Sequence, residues 1–171
     1  MHTTYVTPEQ HEEFVGRVHA SQPAVWLLAK VWFSEQHKKP VRINPYTVTP
    51  EHPQWRGHKD DGDLFVLDDG EWRRIEVRNL GYDFTCREDW PHRDFIICTQ
   101  HTWDEAEDKP YRYYYLNPAR THIGILDPAA TRDQWRKRTS PNRFHPQRPD
   151  EVYVCDVDLV TFCPLPAGAD E

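Results

Sequence analysis

Between Asp61 and Asn79 the chain reads DGDLFVLDDGEWRRIEVRN, two short apolar runs joined by the acidic, glycine-bearing turn Asp68 to Gly70, with Asp63, Glu76 and Arg78 at the ends. Side chains on a strand alternate between faces. Ile75 and Val77 therefore point one way, and Arg74, Glu76 and Arg78 the other. Closing the hairpin brings Asp63 close to Glu76. Two carboxylates on the rim of a sheet suit a hard divalent cation, because Mg²⁺ takes oxygen ligands, keeps several waters and is usually held by one or two protein carboxylates. A cation beside them relieves the repulsion that otherwise raises one of the two pKa values.

The elements that must position this hairpin are readable on either side of it. Pro8 to His19 is expected to form a first helix with Thr7 as N-cap, and Ser21 to cap a second running from Pro23 to about Lys38. In AVWLLAKVWF nearly every position is apolar, so this second helix is expected to be covered on most sides, with Trp26, Trp32 and Phe33 in the core. Pro40 stops it, and Val41 to Ile43 begins a strand. Asn44 to Lys59 is a loop rich in proline and histidine.

After the hairpin, Asp94 to Cys98 (DFIIC) is a continuous apolar run that suits a strand buried on both faces. Further strands are expected at Tyr111 to Leu116 and Thr121 to Leu126. Alternation there puts Tyr111, Tyr113 and Tyr115 on one face and Arg112, Tyr114 and Leu116 on the other. A short basic helix is expected up to Lys137, capped at or near Thr131. Glu151 to Phe162 is read as one last strand, straight or bulged. The order of elements points to one α/β or α+β domain over residues 1–171, a central mixed β-sheet flanked by helices.

Asp63 followed by Glu76-Val77-Arg78 at the end of the next strand resembles the D…(D/E)xK signature of the PD-(D/E)XK nuclease superfamily, which includes restriction endonucleases and archaeal Holliday-junction resolvases. The match covers the core in outline: helices in front, the hairpin carrying the acids, then a further strand, DFIIC. The stretch Arg78 to Trp135 also resembles small phage and bacterial proteins that carry IEVK-type segments. The resemblance implies a restriction-endonuclease-like fold and a phosphodiesterase dependent on Mg²⁺ or Mn²⁺, acting on nucleic acid, DNA being the expected substrate. Asp63, Glu76 and the Val77 carbonyl would ligate the metal, which lowers the pKa of a bound water and stabilises charge on the scissile phosphate. A helix glutamate, Glu13 or Glu12, would assist.

The chain departs from the signature at Arg78, where lysine is common. Arginine stays charged and presents a planar donor fork. It can hold a phosphate but cannot act as a base. Arg74, two residues back on the same face, is a candidate phosphate contact; its plainer reading is a solvated surface charge. An Asp before a strand and a Glu–Arg pair on one strand face also occur in ordinary half-exposed hairpins.

Charge adds a second group of candidates. The chain holds 28 Asp and Glu against 21 Lys and Arg, for a net charge of −7. That balance argues against indiscriminate coating of nucleic acid, which rests on neutralising many phosphates. From Thr131 to Arg148, however, six basic residues face the single acid Asp133, leaving +5 there and −12 over the remainder. Arg132, Arg136, Lys137 and Arg138 are accordingly candidate nucleic-acid contacts, with Trp55 and Arg56 of the long loop. The four cysteines lack metal-ligand spacing and are read as reduced thiols in or near the core. His52 with His58, or Cys98 with His101, does not match a structural zinc pattern.

With no long apolar run and no signal peptide, the chain is expected in the cytoplasm of a bacterium or a phage-infected host, without a membrane partner. Three function classes follow: a Mg²⁺-dependent nuclease, a catalytically degenerate relative that binds nucleic acid or protein, and a structural component of a phage particle or defence complex. Assembly into a homo-oligomer or larger complex is compatible with each.

Overall fold

The computed structural model describes residues 16, 20–44, 62–142 and 147–166. The expected helix Pro8 to His19, except helical Gly16, and most of the loop from Asn44 to Lys59 lie outside the described residues. A helix, α1, is α-helical over 20–27 and continues in wider π turns over Leu28–Gln36. Ser21, the expected cap, lies inside the α-helical part rather than ahead of the helix. Lys38 takes φ 55° and Lys39 donates its N–H to the Phe33 carbonyl (2.9 Å), so the helix ends just before Pro40. The Pro40 carbonyl then accepts from Leu67 N–H at 3.0 Å, tying the helix exit to the hairpin.

Strands β1 (Val41–Ile43), β2 (Leu64–Asp68) and β3 (Glu71–Asn79) form an antiparallel meander, with Val41 opposite Val66 and Leu64 opposite Ile75. The turn between β2 and β3 places Asp69 and Gly70 at φ 50° and 80°, the left-handed pair that a two-residue hairpin requires. β5 (Arg112–Leu116) runs parallel to β3, and β6 (His122–Leu126) and β9 (Thr161–Pro164) add antiparallel strands beyond it. Among the described residues these strands make a six-stranded mixed sheet in the order β1-β2-β3-β5-β6-β9. Helices flank it, as expected for a mixed α/β fold.

A second sheet departs from the sequence reading. β4 (Asp94–Thr99), β8 (Asp150–Asp156) and β7 (Arg136–Ser140) form a separate antiparallel sheet in the order β4-β8-β7. DFIIC is therefore not a central strand of the main sheet, and Ile96 is 40% exposed. A register shift between Ile96 and Cys98 is a bulge, and it allows the consecutive Ile97 and Cys98 both to be buried. Glu151 to Phe162 is two strands in different sheets, β8 and β9, joined by the 3₁₀ turn Val157–Leu159.

The expected basic helix is likewise corrected. Helix α3 is only Pro128–Thr131, capped by Asp127, whose carboxylate accepts from the N–H of Ala129 and Ala130. A 3₁₀ turn follows at Arg132–Gln134, and Arg136 to Arg138 lie in β7. Three adjacent charges suit an exposed edge strand laced to acids on its neighbours, and Arg136 and Arg138 are so laced.

Two cores result. On one side of the main sheet, Ala24, Val25, Leu28 and Phe33 of α1 pack on Leu64, Ile75, Val77, Tyr114 and Leu116. On the other, Tyr113, Tyr115 and Leu126 pack on Phe95, Ile97, Tyr153 and Cys155 of the second sheet. The alternation expected for β5 holds from Arg112 onward. Tyr111 precedes the strand and turns to the α1 side instead, where its hydroxyl donates to Asp68 (3.1 Å). The helix is also less enclosed than its composition suggests, since Trp26 is 62% exposed while Phe33 is buried. The four thiols are unpaired by disulfides, Cys98 and Cys155 buried and Cys86 and Cys163 half-buried. Among the described residues no helix is long and apolar enough to cross a membrane.

Candidate functional site

The hairpin acids fall in register at the stretch of β3 that has an antiparallel neighbour on one edge and a parallel one on the other. Leu64 pairs with Ile75, so the register carried one residue further sets Asp63 opposite Glu76. Asp63 N–H donates to the Ile75 carbonyl at 3.3 Å, and its Oδ2 accepts from Val77 N–H at 2.6 Å. On the other flank Glu76 pairs with Tyr113, and Arg78 with Tyr115. Sequence-predicted Asp63, Glu76 and Val77 are thus brought together, with Arg78 beside them.

Glu76 is 3% exposed and Arg74 5%. Burying a charge is unfavourable unless it is paired and hydrogen-bonded, and here the two pair with each other. Arg74 donates from Nε (2.9 Å) and Nη2 (2.7 Å) to the same Glu76 oxygen, Oε1. Its Nη1 donates to the Asp108 carbonyl at 3.0 Å. Arg78 approaches the second Glu76 oxygen at 3.5 Å and keeps a 42% exposed side chain. Arg74 is therefore no solvated surface charge: it lies beneath the sheet surface, while Arg78 forms the open end of an Arg–Glu–Arg row.

Gly62 makes the row sterically feasible. It sits at φ 84°, and a Cβ there would lie 2.8 Å from both Cγ and Nε of Arg74. Asn44 fixes the same turn by donating its side-chain amide to the Gly62 carbonyl (3.0 Å). The Asp108 carbonyl was illegible in the sequence because it arrives from a separate segment. The Gly-Asp order before a strand was the one local signal for Gly62.

The donor set matches a hard cation in donor type only, since Glu76 Oε1 already accepts from Arg74 and Asp63 Oδ2 from Val77 N–H. Asp63 and Glu76 offer only oxygen, and one or two protein carboxylates are what Mg²⁺ usually takes. Arg74 and Arg78 hold the balancing positive charge in the same row. Among the described residues no group of three or more His, Cys, Asp or Glu comes together to hold a metal. The helix candidates Glu12 and Glu13 and the loop candidates Trp55 and Arg56 lie outside the described residues.

Beneath the row, burial pushes the thiol of Cys98 up, the Tyr113 hydrogen bond and Arg78 opposing it. Burial likewise raises the Tyr113 hydroxyl far above any working pH. Neither is an acid or base for chemistry at neutral pH. On the outer part of the hairpin, the Arg42 guanidinium lies over the rings of Phe65 (4.7 Å) and Trp72 (5.4 Å).

The basic candidates of residues 132–138 divide into two groups. Arg136 donates to Asp94 (2.7 Å) and Asp156 (2.9 Å), and Arg138 to Asp94 (3.0 Å). These two arginines knit the second sheet together. Arg132 instead lies over the Tyr153 ring at 4.4 Å, and the Lys137 ammonium is 5.9 Å from that ring. No family model matches the chain, and no curated protein or solved structure matches it significantly.

Proposed function

We propose that the chain is a metal-dependent phosphodiester hydrolase of the PD-(D/E)XK type acting on nucleic acid, with DNA the expected substrate. The observation that carries this reading is the facing register of Asp63 and Glu76 at the strand end where Arg78 opens to solvent. The order of pairing around it also supports the reading: an antiparallel hairpin, then a parallel strand laid beside its second arm.

In this reading Asp63, Glu76 and the Val77 carbonyl would hold Mg²⁺ or Mn²⁺. Such an ion generates a water nucleophile near neutral pH and stabilises phosphoryl charge. Arg78 stays protonated and offers a fork that matches two phosphate oxygens; it positions the phosphate and moves no proton. The Asp63 contact with Val77 N–H fixes its carboxylate against the strand. Arg74 and the Asp108 carbonyl hold Glu76 in one orientation. The enzyme would meet its substrate in the cytoplasm of a bacterium or of a phage-infected host.

The test is cleavage of a panel of single- and double-stranded DNA and RNA with Mg²⁺ or Mn²⁺. Activity lost in Asp63→Ala and Glu76→Ala supports the reading, and complete inactivity across the panel overturns it. One observation favours a second reading, a nuclease-type protein that binds nucleic acid without cutting it. Two arginines already occupy Glu76. Cleavage gained by Arg78→Lys in an otherwise inactive chain would favour that alternative.

A further inference from the structure

A groove of about 330 Å³ opens on the far side of the segment that braces Arg74, lined by Trp103, Lys109, Pro110, Tyr111, Pro128 and Arg132. Its size is at the small end of ligand clefts, about 300 Å³ and upward. The connection to the hairpin row is direct. Arg74 donates to the Asp108 carbonyl at 3.0 Å, and Tyr111 N–H donates to the Arg74 carbonyl at 2.8 Å. Lys109 and Pro110, between those two anchors, form one wall of the groove.

The groove combines aromatic faces with positive charge. The Arg132 guanidinium is 4.4 Å from the Tyr153 ring, 5.1 Å from Trp135 and 5.8 Å from Trp103. Rings hold it in place from several sides. The Lys109 ammonium lies 5.5 Å from the Trp103 ring and hydrogen-bonds the carbonyls at the end of helix α2 (Gln100–Glu105), which fixes it at the rim. Trp135 braces Trp103 edge-on at 4.8 Å and is itself pinned by Nε1 to Thr131 (3.0 Å). Asp104, on the same helix as Trp103, is engaged with Tyr153 (2.9 Å) and Gln100 (3.1 Å). Asp127, at the head of α3, is engaged with Arg112.

Packing alone accounts for Trp135, which is buried. Trp103 packs on the same core through Trp135 yet stays half-buried, with the Lys109 and Arg132 cations 5.5 and 5.8 Å from its ring at the groove. Cations interleaved with ring faces are what a single strand of nucleic acid requires, because each unpaired base exposes a π face and each linkage a negative charge. We propose that this groove docks an unpaired nucleobase of a single-stranded segment against Trp103, with the adjoining phosphate held by Lys109 and Arg132. The inference deepens the nucleic-acid reading of the hairpin face and rests on it: the segment that walls the groove is bonded to Arg74 at Asp108 and Tyr111.

The experiment is fluorescence anisotropy of a labelled octathymidylate with the full chain, in EDTA so that no cleavage intervenes. The chain is expected to bind it with an affinity that falls as salt rises. Trp103→Ala is expected to weaken binding about tenfold or more, and Trp103→Phe to retain most of it. Lys109→Ala with Arg132→Gln is expected to flatten the salt dependence by about 0.7 in log–log slope, one phosphate contact being lost from a single strand. Thermal melts and circular dichroism identify variants that have lost their fold, and a folded Trp103→Leu, which keeps apolar bulk without a ring face, then decides between stacking and packing: it is expected to weaken binding as Trp103→Ala does. Wild-type chain that does not bind the oligonucleotide, folded variants that bind it unchanged, or a proline-rich peptide taking the groove in its place would each overturn the inference. The nuclease reading fails separately. Binding that survives in a chain unable to cleave upholds the groove, whereas cleavage with binding insensitive to Trp103, Lys109 and Arg132 removes the groove and leaves the nuclease reading intact.

Discussion

Arg74 closes on a single oxygen of Glu76 from two of its nitrogens, at 2.9 and 2.7 Å, although the two residues are only two apart on one strand. Strand neighbours at that spacing share a face, and both side chains here are almost wholly buried. The pair defines what the hairpin acids can do, because any ligand reaching Glu76 meets it already engaged.

Removing one partner of a buried ion pair leaves the other charge uncompensated, typically at a cost of about 3–5 kcal/mol. Arg74→Met is therefore expected to destabilise the protein by about 3 kcal/mol, Arg78 supplying partial relief to Glu76 from 3.5 Å. Arg74→Met with Glu76→Leu should recover most of that loss. Chemical denaturation of the two single variants and the double variant measures the coupling; additive losses would show that the pair is not energetically joined.

Gly62→Ala strains the backbone at φ 84° and drives a Cβ to 2.8 Å from the Arg74 side chain. A left-handed conformation alone costs an L-residue about 1–2 kcal/mol, and the collision adds to it. The expected result is a lower Tm together with changed backbone amide shifts at Asn44 and Val77, the neighbours of this turn. Unchanged shifts would place the Arg74 side chain elsewhere.

Asn117 is 1% exposed and staples the β5–β6 turn to the crossover from β3. Its Oδ1 accepts from the N–H of Thr121 (2.9 Å) and His122 (3.1 Å), and its Nδ2 donates to Asp83 (2.9 Å) and the Phe84 carbonyl (3.1 Å). Buried groups left unpaired cost about 1–3 kcal/mol apiece before relaxation. Asn117→Ala is expected to lose about 3 kcal/mol in urea titration, and Asn117→Asp to fare no better, since it replaces the donor to Asp83 with a second negative charge.

Asp89 gathers the hydroxyl of Thr85 and the amides of Thr85 and Cys86, which hold its carboxyl down to about 2. Its folded pKa lies below its unfolded one, so its contribution is fully present above the ordinary value of 3.8 and is lost as pH falls through about 2. Carboxyl carbon shifts followed by NMR from pH 6 downward, a range spanning about both values, should place the Asp89 midpoint well below that of other aspartates. A midpoint near 3.8 would show that these hydrogen bonds are not formed.

The hairpin was legible because two local rules agreed there: alternation fixed the faces, and Asp-Gly chemistry fixed the turn and with it the register of Asp63 against Glu76. Arg74 was not legible as a buried residue. Its burial depends on the Asp108 carbonyl, contributed 34 positions later, and on Gly62 lacking a side chain. The second sheet was hidden for the same reason. Asp94 pairs with Asp156 and Arg136 with Val154, and periodicity reveals a strand without naming its partner. The run Arg136 to Arg138 read as helix because its anchors, Asp94 and Asp156, are distant in sequence.

Among the described residues the chain passes between the two sheets four times, from β3 to β4, back to β5, from β6 to β7, and from β8 to β9. Neither sheet can therefore be cut out as a continuous fragment, and each encloses connections that the other depends on. Protease nicks in the links 80–93 or 157–160 should leave no half that stands alone, and melting should proceed as one sharp transition with the hairpin row and the aromatic groove lost together.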